Sequence, residues 1–186
     1  LAVVCCLAPN KRVNHCLQTL AELRRRGIAA HLSVVGGGEE EPALRREAEV
    51  LQLGDSVRFT GLLSEENKDA LLRESHLLLH TSLREGWGLN VIEANCMGTP
   101  AAVYPVAGLR ESTLYDVTGL VAKQETPAAL ADEIVSLLGD DARYQRYRHG
   151  AWERAKTMHW RKILPAASDW FEARGRGEEL PPKIIP

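Results

Sequence analysis

Leu1-Ala2-Val3-Val4-Cys5-Cys6 is a continuous apolar run, and Val13–Arg26 follows it with apolar residues at helical spacing. The same pair of patterns returns in Ala30–Val35 and Pro42–Leu53, and Val57–Thr60 begins a third round. Fully apolar strands separated by amphipathic helices predict a parallel sheet covered by helices on both faces, an α/β domain of three layers. Local signals agree, since Gly27 and Gly54 follow helical segments and Pro42 suits a first helical turn.

The rhythm continues outward. Ser64 caps a predicted helix over Glu65–Glu74, and Leu77–Thr81 reads as a strand. A glycine-containing turn then leads into a helix over Leu89–Met97, closed by Gly98. Ala101–Tyr104 and Gly119–Ala122 read as short strands, Thr126-Pro127 opens a helix through Leu138, and Asp140 starts further helix. Asp141–Gly175 has helical spacing with no strand signal, so the sheet is expected to be complete before it. There Trp152, Trp160, Trp170 and Phe171 read as packing anchors. Residues 1–175 are expected to form one domain, and the proline-rich tail 176–186 to fray.

Composition narrows the function. With 186 residues, 45% hydrophobic and 26% charged, the chain has the mix of one globular domain with a sizeable core. A net charge of −2 with interspersed signs offers no cationic face for nucleic acid. Cysteines at 5, 6, 16 and 96 make neither a CxxC pair nor a disulfide framework, which fits a reducing cytoplasm. The run Leu1–Ala8 is too short to span a bilayer and has no secretory leader. A start inside a strand, at Leu rather than Met, reads as the beginning of a fragment. Arg24-Arg25-Arg26 is explained by cations at a helix C-terminus, and a membrane-peripheral contact is compatible with it.

The most informative stretch runs from Ser82 to Ala94, between a strand and the first turn of a helix, where parallel sheets bind ligands. Gly86 and Gly88, on either side of Trp87, let backbone N–H groups approach an anion. The helix start at Leu89 and Asn90 adds unpaired N–H groups and a favourable dipole for a diphosphate. Glu93 lies one turn into the helix, within reach of a ribose diol, whereas Glu85 projects from the loop. Alone, such glycines equally well shape a tight turn, with both glutamates solvated.

Further short motifs stand in order around this one: Pro9-Asn10-Lys11-Arg12, Val34-Val35-Gly36-Gly37-Gly38, Val57-Arg58-Phe59-Thr60-Gly61, Gly98-Thr99-Pro100, Gly108-Leu109-Arg110-Glu111 and Thr118-Gly119-Leu120-Val121. Together with the Glu, seven residues, Glu pattern of Glu85 and Glu93, the chain resembles the C-terminal domain of retaining glycosyltransferases of family 4, which have the GT-B fold. The resemblance covers nearly the whole chain. It implies a Rossmann-like domain forming one half of a GT-B fold, which binds a nucleoside-diphosphate sugar, GDP-mannose or a UDP-hexose, as substrate, with no separate cofactor and no metal. Glu85 would face the sugar hydroxyls, Glu93 the ribose and Lys11 the diphosphate. Backbone N–H groups near Gly88, Leu89 and Asn90 would complete the cradle, with Gly61-Leu62-Leu63 flanking the base. The acceptor would bind largely in an N-terminal domain absent from this chain, so the isolated domain is expected to bind without efficient turnover.

The residue types suit the chemistry. Breaking a sugar–phosphate bond puts charge on the departing diphosphate, which a lysine and a helix N-terminus stabilise. In retaining families of this kind the leaving phosphate itself is thought to help deprotonate the acceptor, so Glu85 is expected to position the donor rather than attack it. Two positions depart from the family pattern. Cys6 stands where an arginine usually precedes the lysine by five residues, and one lost cationic contact is worth roughly 1.5–3 kcal/mol; Arg12 or another residue would have to substitute. Asp116 stands where glycine is frequent, a tolerable change because Asp accepts left-handed backbone.

Other features have plainer readings. Gly36-Gly37-Gly38 lacks the spacing of a dinucleotide fingerprint and is followed by three acids, so it reads as a loop leading into a helix. His76 and His80 would share one side of a strand, but no further His or Cys lies near enough in sequence to complete a zinc set. His15 and Cys16 read as helix residues. Two rivals to the transferase stand: a non-catalytic module that kept the fold and lost its donor, supported by Cys6, and a GT-B sugar epimerase, which the paired glutamates fit less well.

Overall fold

The computed structural model describes residues 1–178; the proline-rich tail expected to fray falls largely outside them, beyond the last helix at Gly175. Six parallel strands are present: β1 (Ala2–Val4), β2 (Leu32–Val35), β3 (Val57–Gly61), β4 (Leu78–His80), β5 (Ala101–Val103) and β6 (Gly119–Val121). Their spatial order is β3-β2-β1-β4-β5-β6. Successive strands build outward from β1 to one edge, then return to the middle at β4 and build to the other, giving a Rossmann-like doubly wound sheet. The expected three-layer α/β architecture is therefore present.

Among the described residues there are eight α-helices: α1 (Val13–Arg25), α2 (Glu41–Val50), α3 (Glu65–Glu74), α4 (Leu89–Cys96), α5 (Ala107–Ser112), α6 (Pro127–Leu138), α7 (Asp141–Thr157) and α8 (Trp160–Gly175). The caps read from sequence form: the Ser64 hydroxyl accepts from the Asn67 N–H at 3.3 Å, Thr126 from Ala129 at 3.3 Å, and Asp140 from Arg143 at 2.8 Å. Asp116 does adopt a left-handed backbone, φ 60°, and its carboxylate accepts from Tyr147 and Arg143.

Alternation along the strands fills two cores. Val3, Leu79 and Ala102 point to one face, against Leu17 and Leu20 of α1 and Leu130 and Ile134 of α6. Ala2, Leu78, Ala101 and Val103 point to the other, against Leu72 of α3, Val91 and Ala94 of α4, and Leu109 of α5. Each fully buried leucine contributes about 1.5–3 kcal/mol. α7 spans the assembly: Tyr147 is fully buried in the first core, while Arg148 Nε donates to Gly98 O beyond the end of α4 at 3.1 Å.

Several expectations change. The first strand ends at Val4 rather than Cys6, because from Cys5 onward the chain turns out to meet the loop after β2. α5 was not read as a helix, being too short to show a period. Of the expected anchors, Trp160 is 71% and Phe171 69% exposed, Trp152, half-exposed, lies beneath the Lys156 ammonium, and Trp170 is partly buried edge-on to Phe171. His76 and His80 do not share a strand face. β4 begins at Leu78, so His76 packs on Tyr144 below the strand while His80 ends it at the opposite edge.

Candidate functional site

β1 and β4 are parallel neighbours whose connections lead to opposite sides, β1 to β2 and β4 to β5, so a crevice opens between the loops that follow them, 5–12 and 81–88. The loops are tied together. Leu83 N–H donates to Asn10 O at 2.9 Å, and the Thr81 hydroxyl reaches Lys11 O at 3.2 Å and Arg12 O at 2.9 Å. From α4, the Asn90 amide donates to Val4 O at 2.8 Å. These links fix the backbone that carries Lys11 relative to the backbone that carries Glu85.

The two side chains meet: Lys11 Nζ donates to Glu85 Oε2 at 2.7 Å, both partly buried. Burial pushes the Glu85 carboxyl up, but the Lys11 hydrogen bond and charge outweigh it and hold the group below its ordinary value. His80 Nε2 lies 3.4 Å from the same oxygen. Burial drives the imidazole down to about 4 against the pull of Glu85, so the ring is neutral at pH 7. Among the described residues, His80 Nε2, Ser82 Oγ and Asn90 Oδ1 are buried without a hydrogen-bond partner. Such groups cluster where a protein is built around something other than its own packing.

The glycines of the turn divide by cause. Gly88 caps α4 with φ 88°, and a Cβ there would lie 2.9 Å from the Leu109 side chain, so folding alone requires it. Gly86 has no such need: its φ is not positive and an added Cβ would meet open space. No side chain caps α4, and no acid lies in its first turn, so the N–H groups at Leu89 and Asn90 keep the helix dipole uncompensated. Gly108 of α5 explains a motif that the sequence left without a task. A Cβ there would collide with the backbone of Glu85 and Gly86, so α5 is the backing that holds the loop.

Glu93 lies one turn along α4, half-exposed, and accepts from Lys68 Nζ of α3 at 3.1 Å; Lys68 also pairs with Glu65 at 2.7 Å. Gly61, with φ 69°, ends β3 and gives its carbonyl to Gly36 N–H at 2.9 Å. The next residue, Leu62, is 86% exposed. Trp87 is half-buried in the turn.

Cys6 is a free, exposed cysteine. Arg12 does not stand in for the arginine expected there. It caps α1 from a left-handed backbone, φ 48°, and its guanidinium donates to Thr81 O at 2.7 Å and Ser82 O at 3.0 Å, pairs with Glu125 and stacks over Tyr104. That network welds β4 to the loop after β6. Concavities of about 440 and 460 Å³ lie at the other, amino edge of the sheet around His76 and Leu77, away from these residues.

Sequence reasoning brought forward Lys11, Glu85 and Glu93, weighed His80 only as a metal ligand, and passed over Lys68. A polar residue closing an apolar strand directly before the loop was the available signal for His80. Lys68 had none, because on a helix it resembles any solvated lysine. Among the described residues, no group of three or more His, Cys, Asp or Glu comes together as a metal set, and no helix is long and apolar enough to cross a membrane.

Residues 1–154 match the family described as Glycosyl transferases group 1, and the chain belongs to it. It is 29% identical over 177 residues to a glycogen synthase of Mycobacterium tuberculosis, covering 95% of this chain and 43% of that protein. It is 32% identical over 144 residues to a D-inositol 3-phosphate glycosyltransferase of Xylanimonas cellulosilytica, covering 75% of this chain and 34% of that protein. The chain thus spans less than half the length of these relatives. Its fold is shared with the sucrose-phosphate synthase of Thermosynechococcus elongatus, with a TM-score of 0.81 at 24% identity over 95% of this chain and 45% of that one. The Anabaena protein HepE, crystallised with UDP and glucose, has a TM-score of 0.75 at 22% identity over 84% of this chain and 43% of that one.

Proposed function

We propose that the chain is the donor-binding, C-terminal domain of a family 4 retaining glycosyltransferase, gripping a nucleoside-diphosphate sugar in the crevice between β1 and β4. The observation that carries this reading is the convergence of Lys11 and Glu85 from separate loops beside the uncapped N-terminus of α4. Lys11 and the α4 N–H groups take the diphosphate, whose charge grows as the sugar leaves. Glu85 turns to the sugar hydroxyls, Glu93 to the ribose, and the exposed Leu62 after Gly61 flanks the base. Gly86 leaves room for the phosphates. The acceptor belongs to a second, N-terminal domain outside this chain, and the two close around the transferring hexosyl group; UDP- and GDP-sugars both fit the chemistry.

Calorimetric titration of the chain with UDP, GDP, UDP-glucose and GDP-mannose tests this, beside Lys11→Ala and Glu93→Ala. Selective binding of one base, weakened about tenfold or more in each variant, is the expected result; efficient transfer by the chain alone would contradict the two-domain arrangement. One observation favours a second reading, a module that kept the fold and lost its donor: Cys6 carries no cation, and the neighbouring Arg12 is held by the carbonyls of Thr81 and Ser82. Folded wild type that binds none of the four ligands, and gains binding with Cys6→Arg, would establish that reading instead.

A further inference from the structure

His80 has no task in the donor reading, yet its surroundings are specific. It ends β4 at 4% exposure, and its Nε2 has no hydrogen-bond partner among the described residues. Glu85 Oε2 lies 3.4 Å from it, and Asn90 Oδ1 is likewise buried without a hydrogen-bond partner among the described residues. A neutral imidazole can donate to that carboxylate only as its Nε2–H tautomer, the form that holding Glu85 requires.

Lys11 is the hinge of the argument. Its ammonium pairs with Glu85, and the same ammonium is the group that a diphosphate would draw away. A partly buried carboxylate that loses its cation needs another donor, or it swings toward water. We propose that His80 is a positioning residue that takes over Glu85 at that point: its Nε2–H moves onto Oε2 and keeps the carboxylate aimed at the donor sugar. The inference rests on the donor-binding reading and adds to it what holds Glu85 once Lys11 is engaged. Its effect falls on the sugar, not on the nucleotide, because Glu85 is the residue that faces the hydroxyls.

The test compares each nucleotide with its sugar conjugate, UDP against UDP-glucose and GDP against GDP-mannose, in wild type, His80→Phe and His80→Gln. His80→Phe keeps a ring and removes the donor; His80→Gln keeps an N–H of similar reach. The expected result is nucleotide affinity unchanged within about twofold, a preference for the sugar conjugate reduced about tenfold in His80→Phe, and most of it restored in His80→Gln. Equal loss of nucleotide and conjugate, or no change in the ratio, would overturn the role. Nitrogen-15 spectra of the wild-type imidazole give an answer that needs no variant to fold: a proton on Nδ1 rather than Nε2 also overturns it. Wild type that binds no nucleotide would sink the donor reading and this inference with it, whereas binding with an unaltered ratio sinks the inference alone.

Discussion

Two glycine-bearing loops leave the same edge of the sheet, 36–38 after β2 and 86–88 after β4, and they carry glycine for different reasons. In the first, a Cβ on Gly36 would run into Cys5 O and one on Gly38 into the Leu7 carbonyl, while Leu7 N–H donates to Gly37 O at 3.0 Å. At Gly36 and Gly38 the chain is pressed against the chain, whereas a Cβ at Gly37 would meet open space. In the second, Gly88 answers to its left-handed backbone and to α5, but Gly86 answers to neither. Gly36 and Gly38 are required by a contact inside the fold; Gly86 is not, and it lies beside the helix start proposed to take the diphosphate.

Substitution in the first loop breaks the fold rather than the function. Gly36→Ala, with φ 126° and the Cys5 carbonyl in its path, is expected to cost about 3 kcal/mol or more in urea unfolding, without changing nucleotide selectivity in whatever folds. An alanine that costs nothing there would erase the distinction between the loops.

The second loop is also backed by a titrating group. Because the folded pKa of His80 is depressed to about 4 from an ordinary 6.5, the unfolded chain binds the extra proton in between. Stability is therefore expected to fall as pH drops from about 6.5 toward 4, by up to about 3 kcal/mol from this group. Denaturation midpoints across that window should flatten in His80→Phe relative to wild type, and parallel curves would remove the buried neutral imidazole from the account.

Lys11→Ala sharpens the comparison at the level of binding. Roughly 1.5–3 kcal/mol of diphosphate affinity is expected to go, with a smaller change in thermal midpoint, because His80 Nε2 lies 3.4 Å from the Glu85 oxygen that loses the ammonium. The smallest effect is expected from Gly86→Ala: unfolding within about 0.5 kcal/mol of wild type, and donor affinity lower by several-fold as the methyl meets the phosphates. Equal affinity would mean that nothing approaches that backbone.

The fold was largely legible beforehand, and the reasons are local. Continuous apolar runs such as Leu77–Leu79, alternating with helices whose caps are Ser64, Thr126 and Asp140, leave few arrangements other than a parallel sheet with helices on both faces. Where sequence reading failed, no local signal existed. α5 is six residues long and shows no period, and the exposure of Trp160 and Phe171 depends on what α8 packs against, which its own residues do not state.

The candidate site divides the same way. Spacing along the chain determined that Glu85 and Glu93 flank a glycine turn at a helix start, since all of it lies within one strand-to-helix connection. Only the tertiary structure decided that Lys11 meets Glu85 across 74 positions, that His80 is sealed behind that carboxylate, and that Arg12 is committed to the end of β4 instead of standing in for Cys6. Residues within one turn are placed by backbone geometry. Residues from different loops are brought together only by the strand order of the sheet, and no short stretch of sequence carries that order.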